Sequence, residues 1–277
     1  PLRTEMSLGA IKLVALAADR ELALSNLDPP EMMASTLVHP DRPIMMPRHQ
    51  RKATFRLKLP AEAMPELPEA GHQRVETIEP GLARVKVDLD DVVPADDADN
   101  VEYRESSAMC DLSDARIKEL TKRAGQNAGN DPAKRAETFR RFVHEHIDEK
   151  GLGVGFASAS ETARTREGDC SEHATLLTAL LRADGIPART VSGLIYVDRF
   201  AGEENIFGYH MWTQALLDVD GKQRRVELDA TLGSHTPFDA THIALATSSL
   251  ADGATSNALL SLAPVIGQLE IEVESLD

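Results

Sequence analysis

Cysteine is scarce in this chain: 277 residues carry two, Cys110 and Cys170. Two thiols do not make a disulfide framework, and a bridge between them would consume both. Long apolar runs are missing as well. The longest candidate, "AIKLVALAADRELAL", is interrupted by Lys12, Asp19, Arg20 and Glu21, so no membrane span is expected. Positive charge is in deficit, with 30 Lys and Arg against 45 Asp and Glu and a formal net charge of −15. Nucleic acid is therefore not an expected partner, because like charge repels the phosphates. There is no internal repeat and no low-complexity segment. The aspartates of "DLDDVVPADDADN", residues 88–100, lack the ordered spacing and the glycine of a calcium loop, so a solvated linker is expected there. The chain opens "PLRTEM", with neither an initiator Met nor a signal-peptide apolar core, as a trimmed or processed chain would. The compartment, cytoplasmic or periplasmic, and the oligomeric state stay open.

What is present is ordinary for a globular protein: 42% apolar and 27% charged residues, in a length that suits one large domain or two small ones. "GAIKLVALA" is a strand candidate and "DRELALSN" after it one or two helical turns. Prolines in "LDPPEMM" and "HPDRPIMMPRHQ" exclude long elements. "ATFRLKL" alternates, with Phe55, Leu57 and Leu59 opposite Arg56 and Lys58, and "ARVKVDL" repeats the pattern with Val85, Val87 and Leu89. This is the signature of a half-buried antiparallel sheet. From residue 113 the period turns helical. Ser113 is placed to cap a helix that buries Ile117, Leu120 and Ala124 and stops at Gly125. A second helix has Asp131 as its cap, Pro132 in its first position, and a face of Ala136, Phe139, Val143, His146 and Ile147. In its "HEH" the two histidines are two residues apart and point to different faces, which favours structural roles over a metal site. In "GDCSEHATLLTALLRADGIPAR", residues 168–189, Asp169 and Glu172 form a capping box, Ala174, Leu177, Leu180 and Leu181 are buried, and Gly185 with Pro187 ends the helix. Strands follow at "RTVSGLIYV", "HMWTQALLDV" and "KQRRVELDA", the last two joined by Asp220-Gly221, a hairpin signal. "QLEIEVESL" ends the chain as another strand. The expected division is a β-rich N-terminal domain over residues 1–100 and an α+β domain over 101–277.

These assignments put Cys170 at the first position of a helix, where unpaired N–H groups and the helix dipole favour a thiolate. Position alone does not separate a nucleophile from a buried structural cysteine. A thiolate nucleophile also needs a proton carrier and a group to orient it. With a two-residue turn at Asp220-Gly221, paired positions put His210 and Asp229 on one face as diagonal neighbours, roughly 7–8 Å apart at the backbone. A three-residue turn would flip that parity. Zinc is the competing reading: Cys170 and His173 form a C-x₂-H pair that His210, His235, His242 and Asp229 could complete. Against it, no second tight ligand pair exists. Tyr209 and Trp212 flank His210, either lining a cleft or simply packing the sheet. Cys110 lacks any motif and is expected to be structural.

Three segments together, "GDCSEHATLLTALLRADGIPAR", "GYHMWTQALL" and "VELDATLG", resemble the catalytic core of the transglutaminase-like superfamily. The likeness runs over roughly residues 110–235, including the helical lead-in "DPAKRAETFRRFVHEHI". It implies a papain-like α+β core, in which a helix headed by the nucleophilic cysteine packs on an antiparallel sheet carrying His and Asp. By that resemblance Cys170 is the nucleophile, His210 the general base and acid, and Asp229 its orienter. No cofactor or metal is implied, and the partner is a protein or peptide substrate. The implied activity is acyl transfer from amides through a thioester, of peptidase or amidase type. The alternatives are transfer to an amine, as in a transglutaminase, and a non-catalytic binding module on the same fold. One departure stands out: the position of Gln214 is often acidic in similar sequences, and Leu216 replaces a second aromatic.

Overall fold

Period-two alternation builds the first layer of this computed structural model, which describes residues 3–8, 11–17, 36–69, 71–95, 97–126, 128–151, 156–219, 221–252 and 262–277. Strands β1 (Arg3–Leu8) and β2 (Ile11–Leu16) form an antiparallel hairpin. Strand β3 (Lys52–Lys58) buries Ala53, Phe55 and Leu57 and pairs antiparallel with β5 (Leu82–Asp88), which in turn pairs with β4 (Gln73–Glu79). The two alternating segments thus lie side by side, Phe55 opposite Val85. Residues 19–33, with their expected helical turn and first prolines, lie outside the described residues.

Among the described residues four α-helices follow: α1 (Ala115–Gly125), α2 (Pro132–His146), α3 (Ala159–Thr165) and α4 (Cys170–Ala183). The cap of α1 is Asp114, not Ser113. Its carboxylate accepts the N–H groups of Arg116 at 2.7 Å and Ile117 at 3.1 Å, while the Ser113 hydroxyl turns to Asp111. A carboxylate that takes two free N–H groups outcompetes a hydroxyl one residue earlier. Asp131 caps α2 as expected, and Ala136, Phe139, Val143 and Ile147 are buried. His144 and His146 end on the backbone oxygens of Ala230 and Ala163, so both are structural ties.

The second sheet has the order β8-β7-β6-β9, all antiparallel, from β6 (Ala188–Phe200), β7 (Glu203–Val219), β8 (Lys222–Leu228) and β9 (His242–Ser248). Strands β6 and β7 are long enough to serve two cores. Near Ala188, Ala215 and Leu217 they pack on the helices; at Leu194, Tyr196 and Phe207 they pack against the N-terminal sheet. The protein is therefore α+β, a helix-on-sheet core preceded by a β-rich region.

Two further findings differ from the sequence expectation. Strand β10 (Glu270–Leu276) pairs with β3, so the end of the chain completes the N-terminal sheet rather than the core after residue 101. Its buried Ile271 and Val273 join the core of that sheet. Second, the described part of residues 88–100 is tied to the fold by ion pairs rather than being a free linker. Asp90 and Asp91 pair with Arg51 and Arg74, and Asp88 with Lys52. Asp97 receives Arg189 of β6, Arg225 of β8 and the Tyr103 hydroxyl. Lys86, two residues away, also reaches Asp88, but the other cations come from elsewhere in the sequence and folding gathers them.

Candidate active site

Cys170 is the first residue of α4 and is half-buried. The turn beneath it is heavily determined. Asp169 accepts the Ser171 N–H at 2.8 Å, and Glu172 returns a carboxylate oxygen to the Asp169 N–H at 3.0 Å, which completes the capping box. The other Glu172 oxygen takes the Ala157 N–H at 2.7 Å, so Glu172 is fully buried and raised above the ordinary carboxylate range by that burial. Gly168 precedes the cap with φ of +152°, and a Cβ there would stand 2.3 Å from that of Glu172. Ala174, Leu177, Leu180 and Leu181 fill the face beneath. Cys110 is buried in the helical core, with its thiol pushed up to about 11 by burial, and neither cysteine is bridged.

Strands β7 and β8 keep a constant register from Val219–Lys222 to Thr213–Leu228, the spacing of a two-residue turn. Asp220 itself lies outside the described residues. Continued beyond Leu228, that register brings His210 and Asp229 together: Nε2–H of His210 donates to Oδ2 of Asp229 at 2.8 Å. The pair is almost dry, with side chains 8% and 1% exposed. Gly193 lies opposite His210 on β6, and a Cβ there would come within 2.1 Å of the Ile243 carbonyl and 2.8 Å of the Trp212 ring. Glycine is thus required for the close packing beside the imidazole.

Burial works against a charged His210 ring, yet the Asp229 charge and hydrogen bond, together with Cys170 as a further hydrogen-bond and charge partner, raise it to about 10. Burial likewise opposes ionisation of Asp229, and the two histidines beside it overcome this and hold the carboxyl well below its ordinary range. His173 is the opposite case. It lies under the first turn, its Nδ1–H donates to the Asp169 carbonyl at 2.6 Å, and burial drops it to about 4.

Several residues at the site were not picked out by sequence reasoning. Thr231 donates both N–H and hydroxyl to Oδ1 of Asp229, at 2.8 and 2.6 Å. Arg140, buried on α2, donates to the carbonyls of Asp229 and Leu232 and so pins the segment after β8. The D-x-T spacing signals the Thr231 contact; nothing local signals Arg140. The carboxylate expected near position 214 stands on the neighbouring strand: Glu227, its register partner, accepts from Gln214 and from the Trp212 indole, each at 2.6 Å. Trp212 therefore packs within the sheet. A cavity of 370 Å³ opens beside Asp229, lined by Glu137, Arg140, Glu227, His235 and Phe238 but not by Cys170.

Of the zinc set, the described residues gather His210, Asp229 and His242, with ligand atoms within 4.8 Å. Cys170, His173 and His235 do not join them. The 2.8 Å between His210 and Asp229 is a hydrogen-bond length. Two ligands of one tetrahedral zinc, with bonds of roughly 2 Å, would stand about 3.3 Å apart. The His210–Asp229 contact is thus a hydrogen bond, shorter than the spacing of two ligands on one zinc.

The family model described as Transglutaminase-like superfamily matches residues 118–229 and so takes in Cys170, His210 and Asp229. This stretch is a transglutaminase-like domain. Solved structures similar to the chain include a protein of Cytophaga hutchinsonii provisionally named a cysteine protease, 15% identical, covering 82% of this chain and 85% of its own, with a TM-score of 0.47. The periplasmic domain of TgpA from Pseudomonas aeruginosa is 14% identical over 66% of this chain and 89% of its own, TM-score 0.43. A red sea bream transglutaminase is 10% identical over 80% of this chain and 52% of its own, TM-score 0.37. No curated protein matches the sequence significantly.

Proposed function

We propose that the transglutaminase-like domain is a cysteine-dependent acyl-transfer enzyme that hydrolyses amide bonds of peptide-like substrates. The observation that carries this reading is the almost dry hydrogen bond between His210 and Asp229, on a ring that Cys170 also helps to raise. In the proposed reaction the Cys170 thiolate attacks the amide carbonyl and forms a C–S bond and a tetrahedral oxyanion. The protonated His210 gives its proton to the leaving nitrogen, the C–N bond breaks, and an acyl thioester remains. His210 next takes a proton from water; the hydroxide adds to the thioester carbonyl, and the C–S bond breaks to release the acid and restore the thiolate–imidazolium pair. The Cys170 N–H at the start of α4 is the candidate donor to the oxyanion. Asp229 keeps the imidazole oriented and stabilises its charge.

The first test is brief iodoacetamide treatment followed by mass spectrometry, against a denatured control. Fast, pH-dependent labelling of Cys170 but not of Cys110 is expected, and equal slow labelling of both would overturn the assignment. Turnover of peptide amides, lost in Cys170→Ala and kept in Cys110→Ala, tests the reaction itself. Incorporation of an added primary amine faster than hydrolysis would move the reading to a transglutaminase. A chain with an inert Cys170 that still binds peptides would be a binding module.

A further inference from the structure

His242, the first residue of β9, is a second histidine on Asp229, buried and absent from the reaction above. Its Nε2 stands 3.3 Å from Oδ2 of Asp229, the same oxygen that His210 uses. Its Nδ1 stands 3.0 Å from the Asp239 carbonyl and 3.6 Å from the Asp239 carboxylate. Both ring nitrogens therefore face oxygens that only accept. A bare lone pair on either nitrogen would oppose an oxygen lone pair where the side chains of His242 and Asp239 are 0% exposed, and such unsatisfied buried contacts are costly. Two N–H groups satisfy both, and an imidazole with two N–H groups is a cation.

The surrounding charges are arranged for one. The charged and titratable groups around His242 are Asp229 after β8, Asp239 on the loop before β9, and His210 on β7 with ring centroids 6.0 Å apart. Behind Asp239, Arg48 donates at 2.6 Å to its second oxygen, while Thr241 holds the first. The signs alternate along the row: Arg48, Asp239, His242, Asp229, His210. The ring cannot turn away, since Phe238 stacks on it at 4.0 Å and Trp212 meets it edge-on at 5.4 Å. The charges of both aspartates hold His242 above its ordinary value despite its burial.

We propose that His242 is a positioning residue, an imidazolium clamped between Asp229 and Asp239 that fixes the carboxylate under His210, with Arg48 tying the clamp to the N-terminal region. Asp229 then takes two donors on each oxygen and has no freedom to rotate. The inference rests on the catalytic reading only for its consequence in turnover; the clamp itself stands on the geometry of His242. It also gives the N-terminal region a task, because Arg48 precedes β3 and reaches the far end of the row.

The test uses the full chain labelled with ¹⁵N-histidine. At neutral pH the His242 ring is expected to carry two protonated nitrogens, identified by the signals that vanish in His242→Gln. That variant keeps an N–H donor toward Asp229 and removes a positive charge. The His210 ring should then hold its proton to a pH higher by roughly one unit, the order expected for losing a unit charge 6 Å away in a partly screened interior. His242→Phe, which also removes the donor, should slow peptide-amide turnover at least tenfold, while His242→Gln retains most of it. A purely structural role would leave the His210 titration in His242→Gln where it is in the parent chain. That result overturns the proposal, as would a single proton on His242 or stoichiometric zinc that disappears with His242→Gln. Iodoacetamide reactivity of Cys170, measured on the same samples, separates the two readings. An inert Cys170 beside a doubly protonated His242 defeats the enzyme and leaves the clamp; a reactive Cys170 beside a singly protonated His242 does the reverse.

Discussion

Asp229 concentrates the chemistry at the residue scale, for it is nearly dry, ionised, and receives His210, His242 and both donors of Thr231. Neutralising it removes the charge that holds His210 protonated, with little change in shape. Asp229→Asn is expected to lower kcat for amide turnover roughly 10³–10⁴-fold with the circular-dichroism spectrum unchanged; unaltered kcat would remove Asp229 from the mechanism. The same variant exposes a pH dependence of stability. His210 rises from 6.5 to about 10 on folding, so its contribution is full below 6.5 and drains away as pH climbs through 10. Asp229 is depressed from 3.8, so its contribution is full above that value and is lost as acid drives the pH below it. The stability advantage of the parent chain over Asp229→Asn, read by urea unfolding, should be largest between about pH 4 and 6.5 and should shrink toward pH 10. An advantage that stays flat from pH 6 to 10 contradicts the charged pair.

Helix α4 is the element that presents the thiol, and its first turn is specified from three directions: the Asp169 cap, the Glu172 return and the Ala157 N–H. Gly168 makes the approach feasible, since any side chain would collide with Glu172. Gly168→Ala is expected to cost roughly 2 kcal/mol through strain at a positive φ, a fall of about 4–8 °C in Tm for a chain of this size. Because the displaced turn carries Cys170, iodoacetamide labelling should slow as well. Full labelling speed with an unchanged melting curve would show that the turn accepts a Cβ. At the far end of the site, Arg140 on α2 performs the matching task, with its guanidinium buried against the carbonyls of Asp229, Leu232 and Ser234.

At the scale of the whole molecule, strands β6 and β7 join a helical core to the N-terminal sheet, and the last strand of the chain returns to close that sheet. The acidic segment before the helices locks onto the same strands through Asp97, which faces two guanidinium groups that are 6% and 1% exposed. Asp97→Ala leaves both cations buried without their carboxylate. A loss of roughly 2–4 kcal/mol in urea unfolding is expected, since stranding a buried charge costs more than the pair contributes. A change under about 0.5 kcal/mol, within the usual surface range, would mean that water reaches the two arginines.

Elements that depend on neighbours along the chain are legible in the sequence itself. The Asp131 and Asp169 caps, the capping box, the alternation of β3 and β5 and the β7–β8 parity all follow from spacings of a few residues, and that parity puts His210 beside Asp229. Helix starts are less sharp, because Ser113 and Asp114 are adjacent candidates and only the N–H geometry chooses between them. Tertiary structure alone decided what depends on distant partners. It sent β10 to β3, more than 200 residues earlier in the chain, where burial of Ile271 and Val273 outweighs the pull of proximity. It turned an acidic run from an expected linker into a set of ion pairs, since local charge says nothing about cations brought from elsewhere. And it placed His242, a possible metal ligand by residue type, in a row with Arg48 and Asp239, because long-range electrostatics acts through space rather than along the chain.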